Sequence, residues 1–436
     1  MTRTQKEKII IIGAGVAGMT AAQELQRNGF EVTILEGLSR VGGRVCPIRL
    51  GENYIDTGAT WIHYYKNNPI TAFAEMHDWE IIEDSYEPFE IWNVETKNWL
   101  GNEKKHFAKL AKDVRADAIE FFLNNTIEVT TADFFNNYIA DENWNNKTIQ
   151  IVKFLYSALL ETDYGGNIQQ IALTDERYLN TFGNDEENDA LLVGSFKKWI
   201  DELRKGLFIR FNQDVQQIDY QKDTVRITTQ NQVFECDKVI VTVSLGVLKQ
   251  GNINFQPELS TEKINAIQSF NYGKLEKIIL IFEEQFWGES RLFYYMNNSE
   301  KSLKFPMIMD FTSTIGEPTL GIYYAADFAQ SIDNQSDEII LSDVVSILKQ
   351  MFGDKYLSPK QTHISHWSKD KFFKGAYSFS SDWNNKQYVE ALAKPIDNKV
   401  FFAGEATSLE GQAYVHGAYL SGIREAERLR VLRIKK

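Results

Sequence analysis

Residues 8–18 read KIIIIGAGVAG. Four isoleucines in succession form a short apolar run that reads as a strand, and Gly13, Gly15 and Gly18 follow at once in the pattern G-x-G-x-x-G. One glycine permits the tight turn, the next a close approach of pyrophosphate, and the third the packing of helix on strand. MTAAQELQRNG then has the character of a helix ended by Gly29, and EVTIL at 31–35 reads as a second strand. Strand, glycine turn, helix and strand open a dinucleotide-binding unit, in which the helix N-terminus offers N–H groups to phosphate.

Glu36 closes the second strand, where a carboxylate can accept ribose hydroxyls. An acid there favours FAD or NAD over a cofactor bearing a 2′-phosphate. SRVGGRV at 39–45 adds a second glycine pair, Gly42 and Gly43, and Arg44, whose planar fork suits a phosphate. By spacing alone this segment is equally a surface turn with a solvated arginine, so FAD and NAD both stay open.

A chain of 436 residues exceeds the size of one growing core, which predicts two domains. No Pro/Gly/Ser linker separates them, and strand-like segments such as VRITT (225–229) and KVIVTV (238–243) return after a stretch from about 80 to 190 that reads as helical, aromatic and acidic. EKIILIF (276–282), FPMIMDF (305–311) and GIYYAADF (321–328) read as later strands, and 337–352 as a helix. The expected architecture is α/β with two interleaved domains. Residues 1–80, 191–260 and 385–436 would form a Rossmann-like FAD-binding domain of GR2 type. Residues 81–190 and 261–384 would form an α+β substrate-binding domain with a mixed sheet.

The net charge of −13, from 47 basic and 60 acidic residues, repels polyanions and draws cations, which argues against nucleic acid as a partner. Two cysteines, six histidines and no His-x-x-x-His pair give no zinc pattern, so no metal is expected. No run is long and apolar enough to span a bilayer, and the polar leader has no cleavable apolar segment, which makes the cytoplasm the expected location.

Further stretches carry a resemblance: IDTGATWIH (55–63), KVIVTVSLGVLKQG (238–251), EKIILIFEEQFW (276–287), HWSKDKFFKGAYSF (366–379) and VFFAGEATS with AYVHGAYLSGI near the end. With GAGVAG, Glu36 and GGR, in this order over nearly the whole chain, they resemble the flavin-dependent amine oxidases. FFKGAYSF and AYVHGAYLSGI are most similar to the polyamine oxidases, with monoamine oxidases and histone lysine demethylases further away.

The resemblance implies FAD contacts from Gly13, Gly15, Gly18, Glu36, Gly43, Arg44 and Trp61, from Val215 at the adenine, from Trp367 beside the flavin ring, and from Glu405 and Val415. Ala376 stands where monoamine oxidases carry the cysteine that bonds flavin, which implies non-covalent FAD. Tyr377 and Tyr414 match the two aromatics that flank the amine. His63 would be either a substrate contact or a hydrogen-bonded structural histidine, and Tyr64 and Tyr65 replace the glycine that usually follows it. Glu161 would be a contact for a distal ammonium or a surface carboxylate.

Lys277 alone reads as a strand-end residue whose ammonium reaches water. Alternation places it on one face with Ile279 and Ile281, and the resemblance makes it the catalytic lysine that holds a water at the flavin. The implied activity is oxidation of a polyamine such as spermine or spermidine by hydride transfer to flavin, imine hydrolysis and reduction of O2 to H2O2. Its partners would be a small cationic amine and O2. A monoamine or L-amino-acid oxidase and a low-turnover flavoprotein module are the alternatives.

Overall fold

The computed structural model describes residues 6–125, 128–173, 189–297, 303–380 and 385–435. Its first strand, Lys8–Ile12, lies at the centre of a five-stranded sheet, between Glu31–Leu35 and Lys238–Val241, with Ile209–Arg210 and Val400–Phe402 at the edges. Every pairing is parallel, and Ile9, Ile10 and Ile11 are fully covered, as a sheet packed on both faces requires. The chain winds outward from Lys8–Ile12 to one edge and then crosses to the other side. That reversal opens a crevice at the carboxyl ends of Lys8–Ile12 and Lys238–Val241, where open α/β sheets bind ligands.

Gly13 leaves the first strand at φ +105°, a conformation open to glycine, and its amide donates to Leu35 O. Helix Val16–Arg27 follows and packs along the last helix, Val415–Ile434. The two helices can approach because Gly422 has no side chain: a Cβ there would lie 2.4 Å from Ala17 O. A smaller sheet of Val215–Asp219, Val225–Thr229, Val233–Cys236 and Asn254–Gln256 shares a core with Ile10, Ile12, Val239 and Val241.

The second large sheet is mixed. Its order is Gln361–Ile364, Leu275–Ile281, Thr319–Ala325, Met307–Asp310, Leu292–Met296, Phe89–Asn93 and Asn98–Trp99, antiparallel except where Leu292–Met296 meets Phe89–Asn93. Ile278, Leu280 and Phe282 share a core with Ile340, Val344 and Leu348 of helix Asp337–Phe352, while Ile279 and Ile281 pack on Ile55. The alternation of this strand thus follows its sequence. Helices Glu103–Asn124, Thr131–Asp141 and Asn146–Tyr164 build the core beyond it. The fold is the α/β one expected, with a Rossmann-like sheet and a mixed sheet.

Two local readings change. The segment from 80, read as helical, opens with strands Ile81–Asp84, Phe89–Asn93 and Asn98–Trp99. Ile81–Asp84 and Phe89–Asn93 owe their state to distant partners, Asp189–Leu192 and Leu292–Met296, that no local period reveals, and Asn98–Trp99 folds back on Phe89–Asn93. GIYYAADF is strand only as far as Ala325, because Ala326 turns at φ +53° into helix Ala326–Ile332. Of the charged stretch 174–190, residues 174–188 lie outside the described residues, and Asp189–Leu192 is a strand paired with Trp61–Ile62 and Ile81–Asp84.

Gly422→Ala should force the two helices apart and lower stability by about 1–3 kcal/mol, the usual cost of overpacking. Chemical unfolding of parent and variant checks this, and an unchanged midpoint would show that the helices are free to slide.

Candidate functional site

One cavity of about 480 Å³ runs from the glycine turns to a group of aromatic rings in front of the mixed sheet. At its first end Gly13, Gly15, Gly42 and Gly43 form the wall. Gly15 and Gly42 meet in a parallel bridge, Gly42 N donates to Ala14 O at 2.9 Å, and a Cβ on Gly43 would lie 3.2 Å from Gly15 Cα. Two turns therefore present bare backbone side by side. Gly18 is not on this wall. A Cβ there would meet Gly13 O at 2.0 Å, so its absence seats the helix on the strand end.

Glu36 lines the same end, its carboxylate accepting from Ala14 N at 2.6 Å and Leu38 N at 2.8 Å. Burial raises its proton affinity, and the two N–H groups oppose that rise. Val215, first residue of its strand, lines the cavity nearby, and Gln213 N donates to Glu36 O.

At mid-length Arg44 Nη1 donates to Glu405 Oε1 at 2.9 Å and Ala376 O at 2.8 Å. The other oxygen of Glu405 accepts from Ser378 Oγ at 2.6 Å and Ala413 N at 3.1 Å. Arg44 is thus no solvated surface residue; it ties its own turn to the segments that carry Ala376 and Glu405. Val415 and Ala418 bring the start of the last helix onto the wall beside them.

The far end is aromatic. Trp61, Trp367, Tyr377 and Tyr414 line it together with His63. Trp61 Nε1 donates to Asp84, Trp367 Nε1 to Thr57 O, and the Tyr377 hydroxyl to Thr162 O. Glu276 is buried and fixes the turn that carries Trp367, accepting from Ser365 Oγ, Trp367 N and Ser368 N.

His63 Nδ1 is 3.0 Å from Asp189 Oδ2, and its ring is 4.6 Å from that of Tyr414. Burial would raise the Asp189 carboxyl, but His63 and the Tyr86 hydroxyl hold it below the ordinary value. Tyr64, at φ +53°, stands edge-on to Tyr414 with its hydroxyl 3.4 Å from that of Tyr414. The residue in place of the usual glycine therefore buttresses the cavity wall, whereas Tyr65 turns to Glu83.

Lys277 lines the cavity and is only 4% exposed, so its ammonium does not reach bulk water. Its Nζ donates to Asp56 O at 2.8 Å, Gly58 O at 3.1 Å and Thr60 Oγ1. Burial draws its pKa down to about 7 against the opposing pull of Asp56, and burial lifts the Asp56 carboxyl to about 7.

Glu161 requires a correction. It is buried rather than a surface carboxylate, and it is not among the residues that line the cavity: Leu303 and Ile168 donate backbone N–H groups to it, and burial pushes it up to about 8. The next two residues, Thr162 and Asp163, line the cavity instead, because one helical step of 100° turns the side chain away. Tyr323 also lines the cavity. Its only signal was alternation within GIYYAADF, and its place opposite Lys277 depends on strand register.

Residues 16–97 and 164–430 match the family model described as flavin containing amine oxidoreductase. The chain belongs to this family. Among curated proteins the amine oxidoreductase is 30% identical to polyamine oxidase 2 of Arabidopsis thaliana, over 99% of this chain and 90% of that protein. It is 29% identical to lysine-specific histone demethylase 1 homolog 2 of Arabidopsis thaliana and to human lysine-specific histone demethylase 2, over 97% of this chain in each case. The chain spans 58% and 53% of those two proteins. The demethylases thus stand level with the polyamine oxidase, and the greater distance expected of them from the motifs does not hold.

The cofactor of this family is FAD, and the residues present fit it. The bare backbone at Gly15 and Gly43 leaves room for pyrophosphate, Glu36 is placed for a ribose, and the cavity continues without a break to Lys277. Neither Cys46 nor Cys236 lines the cavity, which offers FAD no thiol for a covalent bond. Among the described residues no group of three or more His, Cys, Asp or Glu could hold a metal, and no helix is long and apolar enough to cross a membrane.

Gly15→Val should fold as the parent does, since Gly15 has an ordinary φ of −75° and a Cβ there meets only Gly43 Cα, at 4.0 Å. The larger side chain would occupy the pyrophosphate approach, so the variant should purify without flavin absorbance; a yellow variant would move the phosphates elsewhere. A second test concerns Lys277. Because its folded pKa is lowered, its contribution to stability is complete above the unfolded lysine value and lost as pH falls through about 7. The melting temperature of the parent should therefore gain on that of Lys277→Met between about pH 7 and 10. A constant gap would mean that the buried amine keeps its ordinary proton affinity.

Proposed function

We propose that this protein oxidises a slender aliphatic polyamine, spermidine or spermine in type, at a carbon next to nitrogen. The observation that carries this reading is the far end of the cavity, which Trp61, Tyr377 and Tyr414 line together with Asp163. Ring faces and a carboxylate suit a chain that bears several amines. The net charge of −13 favours the approach of such a cation. The only guanidinium among the described lining residues is that of Arg44, engaged by Glu405, which disfavours an amino acid's carboxylate.

Held along the wall of Gly15, Glu36, Gly43 and Arg44, FAD would supply two-electron oxidising chemistry, with O2 as the final acceptor and H2O2 as the product. The protein's part is to exclude water, hold the amine and manage protons. A dry aromatic pocket lowers the substrate's own pKa and favours the neutral amine, the form able to release hydride. Lys277, with its lowered proton affinity, can take the proton of the water that hydrolyses the imine product. The likeness to lysine-specific histone demethylases favours a second substrate, a methylated lysine side chain in a peptide.

Peroxide release should be fastest with spermidine or spermine, slower with an N-methyl-lysine peptide, and least with tyramine and L-amino acids. With the polyamine, kcat/KM should rise from about pH 6 to 10 as the free amine appears. Inert polyamines beside an active methylated peptide would reverse the assignment, and a flat profile would remove the requirement for a neutral amine.

A further inference from the structure

Between His63 and the short turn Tyr65–Asn67 the chain bends at Tyr64, whose φ of +53° and ψ of +47° lie in the left-handed region. Glycine enters that region freely and a tyrosine does not, so the bend would form more easily without this side chain. The turn is pinned on both sides. Tyr64 N donates to the Asp189 carboxylate, and Asn68 Nδ2 reaches His63 O at 2.7 Å and His416 Nδ1 at 3.0 Å, in the first turn of Val415–Ile434. Asn68 thereby fixes the turn against the start of the last helix.

Tyr414, the residue just before that helix, is buried and lines the cavity. Three rings hold it. His63 lies 4.6 Å away, His416 is stacked at 5.4 Å, and Tyr64 stands at 5.6 Å and 84° to it, the two tyrosine hydroxyls 3.4 Å apart. Tyr64 meets His416 at 84° as well, and it is not among the residues that line the cavity. Perpendicular ring pairs are favourable, and a ring packed at this distance blocks the retreat of Tyr414 in its direction.

We propose that Tyr64 sets the width of the amine site: by holding Tyr414 forward, it restricts the site to slender aliphatic amines and turns away bulkier ones. This rests on the reading of the cavity as an amine site. Tyr64 is a positioning residue, which acts through Tyr414 and does not itself touch the substrate. The strained bend is retained because only a side chain at this position can fill the space behind Tyr414.

The test compares kcat/KM of the parent, Tyr64→Gly and Tyr64→Phe on spermidine and on the bulkier N-benzylputrescine. Tyr64→Gly should fold, since glycine suits the left-handed bend. Its preference for spermidine over the benzylated amine should fall roughly two- to tenfold, the worth of one aromatic pair, because the slender amine loses its fit while the bulky one gains room. Tyr64→Phe keeps the ring and should keep the parent's preference. A general loss of structure or of flavin lowers both amines alike and leaves the preference unchanged; that result, or a preference changed as much by phenylalanine as by glycine, would overturn the proposal. If the parent oxidises neither amine, the polyamine reading fails by itself. A crystal structure of Tyr64→Gly then decides the role of Tyr64: a Tyr414 ring moved into the space of the missing side chain supports it, and an unmoved ring overturns it.

Discussion

The pairing of Arg44 with Glu405 holds the molecule together at its most discontinuous point. Arg44 belongs to the second glycine turn and Glu405 to the segment after the last strand, while Ala376 and Ser378, bonded to the same two side chains, lead into Ser378–Ser380. Removing Arg44 would leave the buried Glu405 carboxylate without its charge partner. Such a pair adds little net stability compared with an apolar replacement. Its value here is registration, because the cavity wall exists only while these segments stay in line.

Lys277 shows the same economy at closer range. Three oxygens from the short segment Asp56–Thr60 converge on its amine, which fixes that segment against the mixed sheet and compensates in part for the loss of water. Burial and the oxygen cradle act in opposite directions on the proton, and burial is the larger. Burial thus leaves this amine easier to deprotonate than an exposed lysine.

The features legible in the sequence were those with a local cause. The glycine turn needs its three residues in one short stretch, and helix Asp337–Phe352 shows its apolar period within a single segment. Alternation in EKIILIF placed Lys277 on the face it occupies. Residues set by register were not legible: Tyr323 reaches the cavity through its pairing with Lys277, and Glu161 misses it by one helical step. Phe89–Asn93 lay hidden for the same reason, since its strand state depends on Leu292–Met296. Gly18 had two roles open to it, and the structure assigns it to packing.

The central place of Lys8–Ile12 has a consequence for synthesis. One of its two neighbours, Glu31–Leu35, leaves the ribosome soon after it, but the other, Lys238–Val241, lies more than half the chain downstream, and the edge strand Val400–Phe402 comes almost last. At about 5–20 residues per second, tens of seconds pass before the sheet can close. During that interval the open side of the isoleucine strand has no native partner, and shielding it falls to whatever the cell provides for nascent chains.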